Sequence, residues 1–228
     1  MMVRGLQDMI AQGEHQQQDF KYKITDAPKL ARSVSAFANT DGGRLLIGVR
    51  DDGSIHGVRS EEEIFMMHAA ACKYCTPAPT IKFETLLVPS EPHGSRLRTV
   101  VICTILPSAQ RPVMALEDGR RTAYIRVADE NIVASPVHLA IWKQDARLQG
   151  EAFGDTREEY ALLTCLEQHP KGISLNRLLK DVQSFYIHSS GSNRFSRPRA
   201  ITLVARFIRF GLASIQRHGQ EWLFFPAE

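Results

Sequence analysis

Hydrophobic and polar positions follow two different periods along the chain, and the clearest change of period lies between residues 34 and 58. An apolar stripe with a period of 3.6 residues predicts a helix there; its members are Leu30, Val34, Phe37 and Ala38. Gly42 and Gly43 are expected to end this helix, because glycine readily adopts the positive φ of a left-handed cap. A buried strand at 45–49, a turn at 51–54 and a returning strand at 55–58 should follow.

The rest of the first 149 residues predicts interleaved helices and strands. Partial alternation at 18–24 predicts a half-buried strand; Phe20, Tyr22 and Ile24 would face the core, and Asp19, Lys21 and Lys23 would point away from it. The other predicted elements are helices at 3–12, 60–75 and 137–147 and strands at 81–88, 96–106, 113–116 and 122–127. This order indicates an α+β fold.

Periodicity breaks down at residues 150–156, which are small and polar, and this segment is the predicted linker between domains 1–149 and 157–228. The second domain should contain helices at 157–169, around 175–179 and at 196–210, a loop at 185–194 and a hairpin at 212–225. Three helices followed by a hairpin are typical of a small winged helix-turn-helix domain. A single such domain contacts a short half-site, so we expect a homodimer.

The composition indicates the general class of protein but no specific function. The 228 residues are 43% hydrophobic and 23% charged, with a formal net charge of +3, as in an ordinary globular protein. No apolar run reaches 18 residues and the N-terminus lacks the apolar core of a signal peptide, so we expect no membrane partner. The four cysteines are expected to be reduced thiols in the cytoplasm.

The third predicted helix of the second domain carries the clearest charge pattern. Six arginines and no acidic residue lie between positions 194 and 217. A polar stripe separate from the apolar one holds Arg199, Thr202, Arg206 and Arg209, and Arg197 opens the helix. The guanidinium fork suits phosphates and guanine edges, so these arginines are candidate contacts to DNA or RNA. Alternatively, they form a solvated face or bind acidic residues of the first domain.

Several short motifs occur in order along the first domain. They are Glu14, Asp19-Phe20-Lys21, SAFANTDGG at 35–43, IGVRDDG at 47–53, IHG at 55–57, Arg111-Pro112 and YIRV at 124–127. Over roughly residues 5–145 they resemble the Schlafen-type AlbA domain. The resemblance implies an AlbA/Schlafen-like mixed sheet with helices and implies nucleic-acid binding, with Lys21 and Lys23 as candidate contacts. Bacterial members often carry a helix-turn-helix afterwards and resemble transcriptional regulators.

The same resemblance implies an enzymatic alternative, an endoribonuclease that cuts structured RNA with Mg²⁺ or Mn²⁺. By motif its catalytic and metal-binding carboxylates would be Glu14, Asp19 and Asp51, since hard divalent ions need converging carboxylate oxygens. The family usually has glutamate where this chain has Asp19, and the shorter side chain reduces its reach. A protein-interaction module is the third alternative.

Other motifs give little support to a cofactor. Cys72 and Cys75 form a single CxxC without the second pair of a zinc site. The GxxxxGK[ST] phosphate loop is absent, so ATP binding is not supported.

Overall fold

The computed structural model describes residues 2–89, 96–145, 156–190 and 195–227. The chain divides into two compact units, Met1–Ala134 and Ser135–Glu228. The predicted domain limits differ from this division: residues 135–149 were assigned to the first domain, whereas helix Pro136–Asp145 belongs to the second unit. Most of the predicted linker lies outside the described residues. No helix in the described part of the chain is long and apolar enough to span a membrane.

Unit 1 contains two four-stranded sheets. The first, in the order β1-β2-β5-β4, contains β1 (Gln18–Lys21), β2 (Gly43–Ile47), β4 (Ile81–Pro89) and β5 (Leu97–Ile105). In it β1 and β2 are parallel and the other pairs are antiparallel. The second, in the order β3-β6-β7-β8, contains β3 (Cys75–Thr76), β6 (Met114–Glu117), β7 (Arg120–Val127) and β8 (Glu130–Val133). This mixture of helices and sheets confirms the predicted α+β class.

Helix α2 (Ala27–Asn39) lies between the two sheets of unit 1. Its core includes Val34 and Phe37 from the predicted stripe, together with Leu45 and Ile47 from β2 and Ala115 from the second sheet. The other face of the first sheet packs against helix α1 (Met2–Ala11). Helix α3 (Ser60–His68) continues into a π-helical segment, Ala69–Lys73.

The glycine turn after α2 forms largely as predicted. Gly42 has φ +71° and its N–H donates to the Phe37 carbonyl oxygen at 2.9 Å. Gly43 serves a different purpose, because an added Cβ would lie 2.4 Å from the Phe37 ring. The predicted hairpin beyond β2 was too long, since a single bridge between Val49 and Ile55 replaces paired strands.

Unit 2 contains four helices among the described residues. They are α4 (Pro136–Asp145), α5 (Arg157–Glu167), α6 (Leu175–Ser190) and α7 (Arg197–Arg209). A short strand, β9 (Ile173–Ser174), joins the hairpin of β10 (Ala213–His218) and β11 (Glu221–Pro226). The predicted loop at 185–194 was wrong in its first part, because α6 continues to Ser190. One apolar core joins all four helices to the hairpin.

Candidate nucleic-acid interface

Basic side chains of unit 1 gather where β1 and β2 end. The two strands are parallel, with Lys21 opposite Ile47, so the residues after both strands lie at the same edge of the sheet. Lys23 follows β1, and Arg50 and His56 flank the turn after β2. We call the following set the cationic edge: Lys21, Lys23, Lys29, Arg50, His56, Arg59 and Arg98.

Two concave sites open along the cationic edge, and Lys23 lines both. The smaller has a volume of about 180 Å³, and its polar lining includes Lys21, Lys29, Asp26 and the Ser33 hydroxyl. The larger has a volume of about 600 Å³ and lies beside the start of β5. Basic side chains therefore line both concave sites, as they line surfaces that bind phosphate.

An aromatic pair at the cationic edge packs beside the guanidinium of Arg50. The rings of Tyr22 and His56 have their centroids 4.2 Å apart, and the Arg50 guanidinium lies 5.1 Å from the centroid of Tyr22. Desolvation lowers the pKa of His56, and the nearby charges of Arg50 and Arg98 lower it further. Tyr22 is 44% exposed, so the prediction that it faces the core was wrong.

Glu14 and Asp19 lie side by side at the start of β1. Glu14 Oε1 accepts a hydrogen bond from the Phe20 N–H at 2.7 Å. Burial raises the pKa of Glu14, and a hydrogen bond with Asp19 raises it further. Lys21 Nζ lies 2.5 Å from Asp19 Oδ2, as an ion pair without hydrogen-bond geometry, and donates to the Phe20 carbonyl oxygen. The ammonium of Lys21 is thus already engaged within unit 1.

Asp19 also faces the buried guanidinium of Arg126. Arg126 Nη2 lies 3.4 Å from Asp19 Oδ1 and donates to the Gln18 carbonyl oxygen at 3.2 Å. Its Nη1 donates to Asn131, and the guanidinium lies 5.0 Å from the Phe37 ring centroid. Both side chains are buried, with Asp19 only 4% exposed, so the prediction that Asp19 points away from the core was wrong. Asp19 balances a buried positive charge.

Asp51 lies apart from this pair of carboxyls. It is exposed in the turn after β2, where the neighbouring Asp52 Oδ1 accepts a hydrogen bond from the Ser54 N–H at 2.8 Å. Within the described ranges, no three His, Cys, Asp or Glu side chains lie close enough together to hold a metal ion. The structure therefore brings together Glu14 and Asp19 but does not bring Asp51 to them, and their assignment as metal ligands stays a prediction.

In unit 2, the arginines predicted at the start of α7 are exposed. Arg199 Nε donates to Glu158 Oε2 at 2.7 Å, and these side chains are 45% and 30% exposed. Arg197 Nη1 donates to Asn176 Oδ1 at 2.7 Å. Exposed ion pairs contribute at most about 1 kcal/mol, so Arg199 can exchange its partner at little cost.

Arg206 differs from Arg199 because its ion pair with α5 is largely buried. Its Nη1 donates to Glu159 Oε1 at 3.2 Å, and the side chains are 15% and 2% exposed. Glu159 Oε2 accepts from the Thr156 N–H in the capping box that starts α5. Arg206 therefore joins α7 to α5, while Arg209 lies on exposed helix surface.

Comparison with known proteins agrees with the sequence motifs of unit 1. The family described as Schlafen, AlbA_2 matches residues 14–135, which is more than half of the chain. The chain belongs to the Schlafen/AlbA_2 family. No curated protein matches it. Among solved structures, it is similar to the DIP2311 protein from Corynebacterium diphtheriae, with 19% identity and a TM-score of 0.43 over 78% of this chain and 36% of that one.

The Schlafen/AlbA_2 match coincides closely with unit 1, which ends at Ala134. Membership of the family indicates nucleic-acid binding, and the cationic edge belongs to the matched region. Arg50, His56 and Arg98 are members of this edge that the sequence did not predict. The sequence contained a signal for Arg50 and His56, because both flank the predicted turn at 51–54. Arg98 lies within a strand, and its position becomes clear only from the strand pairing.

Proposed function

We propose that the protein is a DNA-binding transcriptional regulator in which unit 2 is a winged helix. The order helix, strand, helix, helix and hairpin supports this proposal, because β9 pairs with the hairpin as the first strand of a winged helix does. α7 would be the recognition helix.

The exposed arginines at the start of α7 carry the proposal. Recognition helices contact base edges with their N-terminal residues. Arg197 and Arg199 are exposed in the first turn of α7, and Thr202 follows one turn later. The predicted contact by Arg206 is not part of this proposal, because its more buried guanidinium pairs with Glu159.

A homodimer that acts in the cytoplasm completes the proposal. One recognition helix reads only a short half-site, so two copies would be needed to specify an operator. Analytical ultracentrifugation with and without DNA would test the dimer, and a selected operator should contain two half-sites about 10 bp apart or a multiple of that spacing.

Arg199→Ala tests the proposal, with Arg177→Ala as a matched control. Arg177 is also an exposed arginine of unit 2, and its Nε lies 3.0 Å from Asp181 Oδ2. If Arg199 contacts a phosphate, its loss should lower the salt slope of duplex binding by about 0.9. If Arg199 contacts a base, its loss should cost about 1–3 kcal/mol of binding free energy, and only at one base position of the site. Arg177→Ala should leave binding unchanged.

Fluorescence anisotropy over a salt series would measure these effects on a duplex selected from a random library. A regulator should prefer its selected site by at least about 10³-fold over random duplex. Equal binding to all duplexes, or equal losses in the Arg199 and Arg177 variants, would contradict the proposal.

A further inference from the structure

The larger cavity of unit 1 has no role in the DNA contact proposed for α7. Its volume of about 600 Å³ lies within the range of about 300–1,000 Å³ found for small-ligand sites. Its walls come from three places in the chain: Lys23 after β1, the segment from His56 to the first turn of α3, and residues 97–99 of β5.

The charges in the cavity favour an anion. Three cations, Lys23, Arg59 and Arg98, line it together with Glu62 and Glu63. Glu62 accepts a hydrogen bond from Arg59 at 3.1 Å. Glu63 is buried and accepts from the Ile24 N–H at 2.9 Å, and burial raises its pKa. Among the described residues, neither Lys23 nor Arg98 forms a salt bridge, so both can pair with a ligand, although Glu63 offsets part of the charge of Lys23.

Arg98 supplies a second observation, because its guanidinium is partly desolvated at the wall of the cavity. Its Nε is buried and has no hydrogen-bond partner in the described structure. Buried donors on charged groups are rarely left without an acceptor in native proteins, because the desolvation is not offset. Ligand oxygens bound to Nη1 and Nη2 of the same guanidinium would offset part of this desolvation cost.

The backbone holds the cavity wall in a fixed position around Arg98. Gly57 has φ +77°, and a Cβ there would lie 2.8 Å from Arg98 Cβ, so only glycine lets the arginine stem pack this closely. The Gly57 N–H donates to the Gly48 carbonyl oxygen at 3.0 Å, and the Val58 N–H donates to the Thr99 carbonyl oxygen at 2.8 Å. A wall fixed before binding reduces the entropy lost when a ligand is ordered.

The rim of the cavity adds aromatic surface beside the cations. His56 lines the cavity and packs on Tyr22, which carries the Arg50 guanidinium. Aromatic rings and guanidinium planes are the usual stacking partners of nucleobases. The combination of a guanidinium fork, an ammonium group and an aromatic ring at the rim matches a phosphate attached to a nucleoside.

We propose that this cavity binds the phosphomonoester group of a nucleotide, with Arg98 and Lys23 on the phosphate oxygens. The Arg98 fork would donate in-plane hydrogen bonds to two oxygens, and Lys23 would act as a point charge. The same group occurs on a free mononucleotide and at the 5′ end of an oligonucleotide. The site is separate from α7, so it stands whether or not unit 2 binds duplex DNA.

Isothermal titration calorimetry on the full chain tests the site with five probes: AMP, adenosine, inorganic phosphate, and a single-stranded octanucleotide with and without a 5′ phosphate. AMP should bind more than 10-fold more tightly than adenosine if a free nucleotide is the ligand. If a strand end is the ligand, the phosphorylated octanucleotide should exceed its unphosphorylated form by the same factor. Either preference supports the proposal.

Arg98→Gln should weaken binding of the preferred probe roughly 10- to 100-fold, the value of a charge-assisted hydrogen bond. Lys23→Gln, at an exposed position that does not threaten folding, should also weaken it. Arg121→Gln, an exposed arginine of β7 outside the cavity, is the matched control. Bound phosphate should also shift the His56 imidazole resonances in NMR spectra.

Three results would overturn the proposal. The first is equal binding of each phosphorylated probe and its unphosphorylated form. The second is no binding of any phosphorylated probe at millimolar concentration. The third is a loss of affinity in Arg121→Gln as large as in Lys23→Gln. Duplex binding measured on the same samples would show separately whether the proposal for α7 holds.

Discussion

The ion pair between Arg206 and Glu159 should stabilise unit 2, and Arg206→Met should expose that role. Methionine keeps most of the aliphatic stem but leaves the Glu159 carboxylate buried without its cation. Coulomb's law at 3.2 Å with an effective dielectric constant of about 20 gives an attraction of roughly 5 kcal/mol before desolvation. Removing one partner of such a buried pair typically costs about 3–5 kcal/mol, so we expect a loss of about 3 kcal/mol in the free energy of unfolding.

The neighbouring pair between Arg199 and Glu158 provides the matched control. It joins the same two helices but is exposed, so Arg199→Met should cost less than about 1 kcal/mol. The double variant Arg206→Met with Glu159→Gln should be more stable than Arg206→Met alone, because no charge then stays buried. A double-mutant cycle would give this coupling directly.

Tryptophan fluorescence during urea unfolding is a suitable assay, because both tryptophans, Trp142 and Trp222, belong to unit 2. The signal therefore reports on the unit that contains the pair. A loss below about 1 kcal/mol in Arg206→Met, equal to that in Arg199→Met, would refute the structural role. So would a stable Arg206→Met protein that has lost DNA affinity, since Arg206 would then contact nucleic acid.

Two further predictions concern pH. Burial lowers the pKa of His138 to about 4, so its neutral form stabilises unit 2 fully above the unfolded value of 6.5, and this contribution should be lost as pH falls from about 6.5 towards 4. Tryptophan-detected unfolding should show that fall, and His138→Gln should reduce it; an unchanged fall would contradict the assignment. The pKa shift of Glu14 has the opposite sign. Because its raised pKa favours the protonated carboxyl, Glu14 contributes to stability fully below about pH 4.5, and this contribution is lost as the pH rises through its pKa in the folded protein. Glu14→Gln should therefore be more stable than the wild type at pH 7 and equal to it near pH 4 by circular dichroism, and a less stable variant at pH 7 would contradict this reasoning.

Local patterns predicted the centre of unit 1 well. The apolar stripe of α2 and the glycine turn depend on residues close in sequence, and both occur in the structure. The contacts of Asn39 could not be predicted in this way. Its side chain bonds the Val113 backbone and the Tyr124 carbonyl oxygen, more than 70 positions away, and so joins α2 to the second sheet.

The strand β1 and the burial of Phe20 were predicted correctly, whereas the prediction for Asp19 was wrong because the strand is covered on both faces. Alternation assigns one face to the core and the other to solvent, which suits a strand with one solvated side. Here α2 lies on one side of the sheet and α1 on the other, so Asp19 is buried as well as Phe20. Parallel pairing with β2 places β1 inside the covered sheet, and the local pattern at 18–24 does not predict this burial.

The prediction for the arginines of α7 was limited in a similar way. Helical periodicity correctly placed Arg199 and Arg206 away from the apolar stripe, but it cannot identify the helix that packs beside them. The packing of α5 decides that Arg206 is nearly buried and Arg199 exposed. The alternative of arginines bound to acidic side chains thus applies to both, although those acidic residues belong to unit 2.

Charge balance separates the two functions implied for unit 1. When both carboxyls are ionised, Glu14 and Asp19 are matched by the charges of Lys21 and Arg126, so this cluster offers no net negative charge to a divalent cation. A metal ion at Asp19 would compete with Lys21 and Arg126 for the same carboxylate, and leaving a buried guanidinium unpaired costs several kcal/mol. The larger concave site at the cationic edge has the opposite imbalance, because three cations, Lys23, Arg59 and Arg98, line it together with two carboxyls, Glu62 and Glu63. The electrostatics of unit 1 therefore favour holding a phosphate at the cationic edge over assembling a metal site at the carboxyl pair.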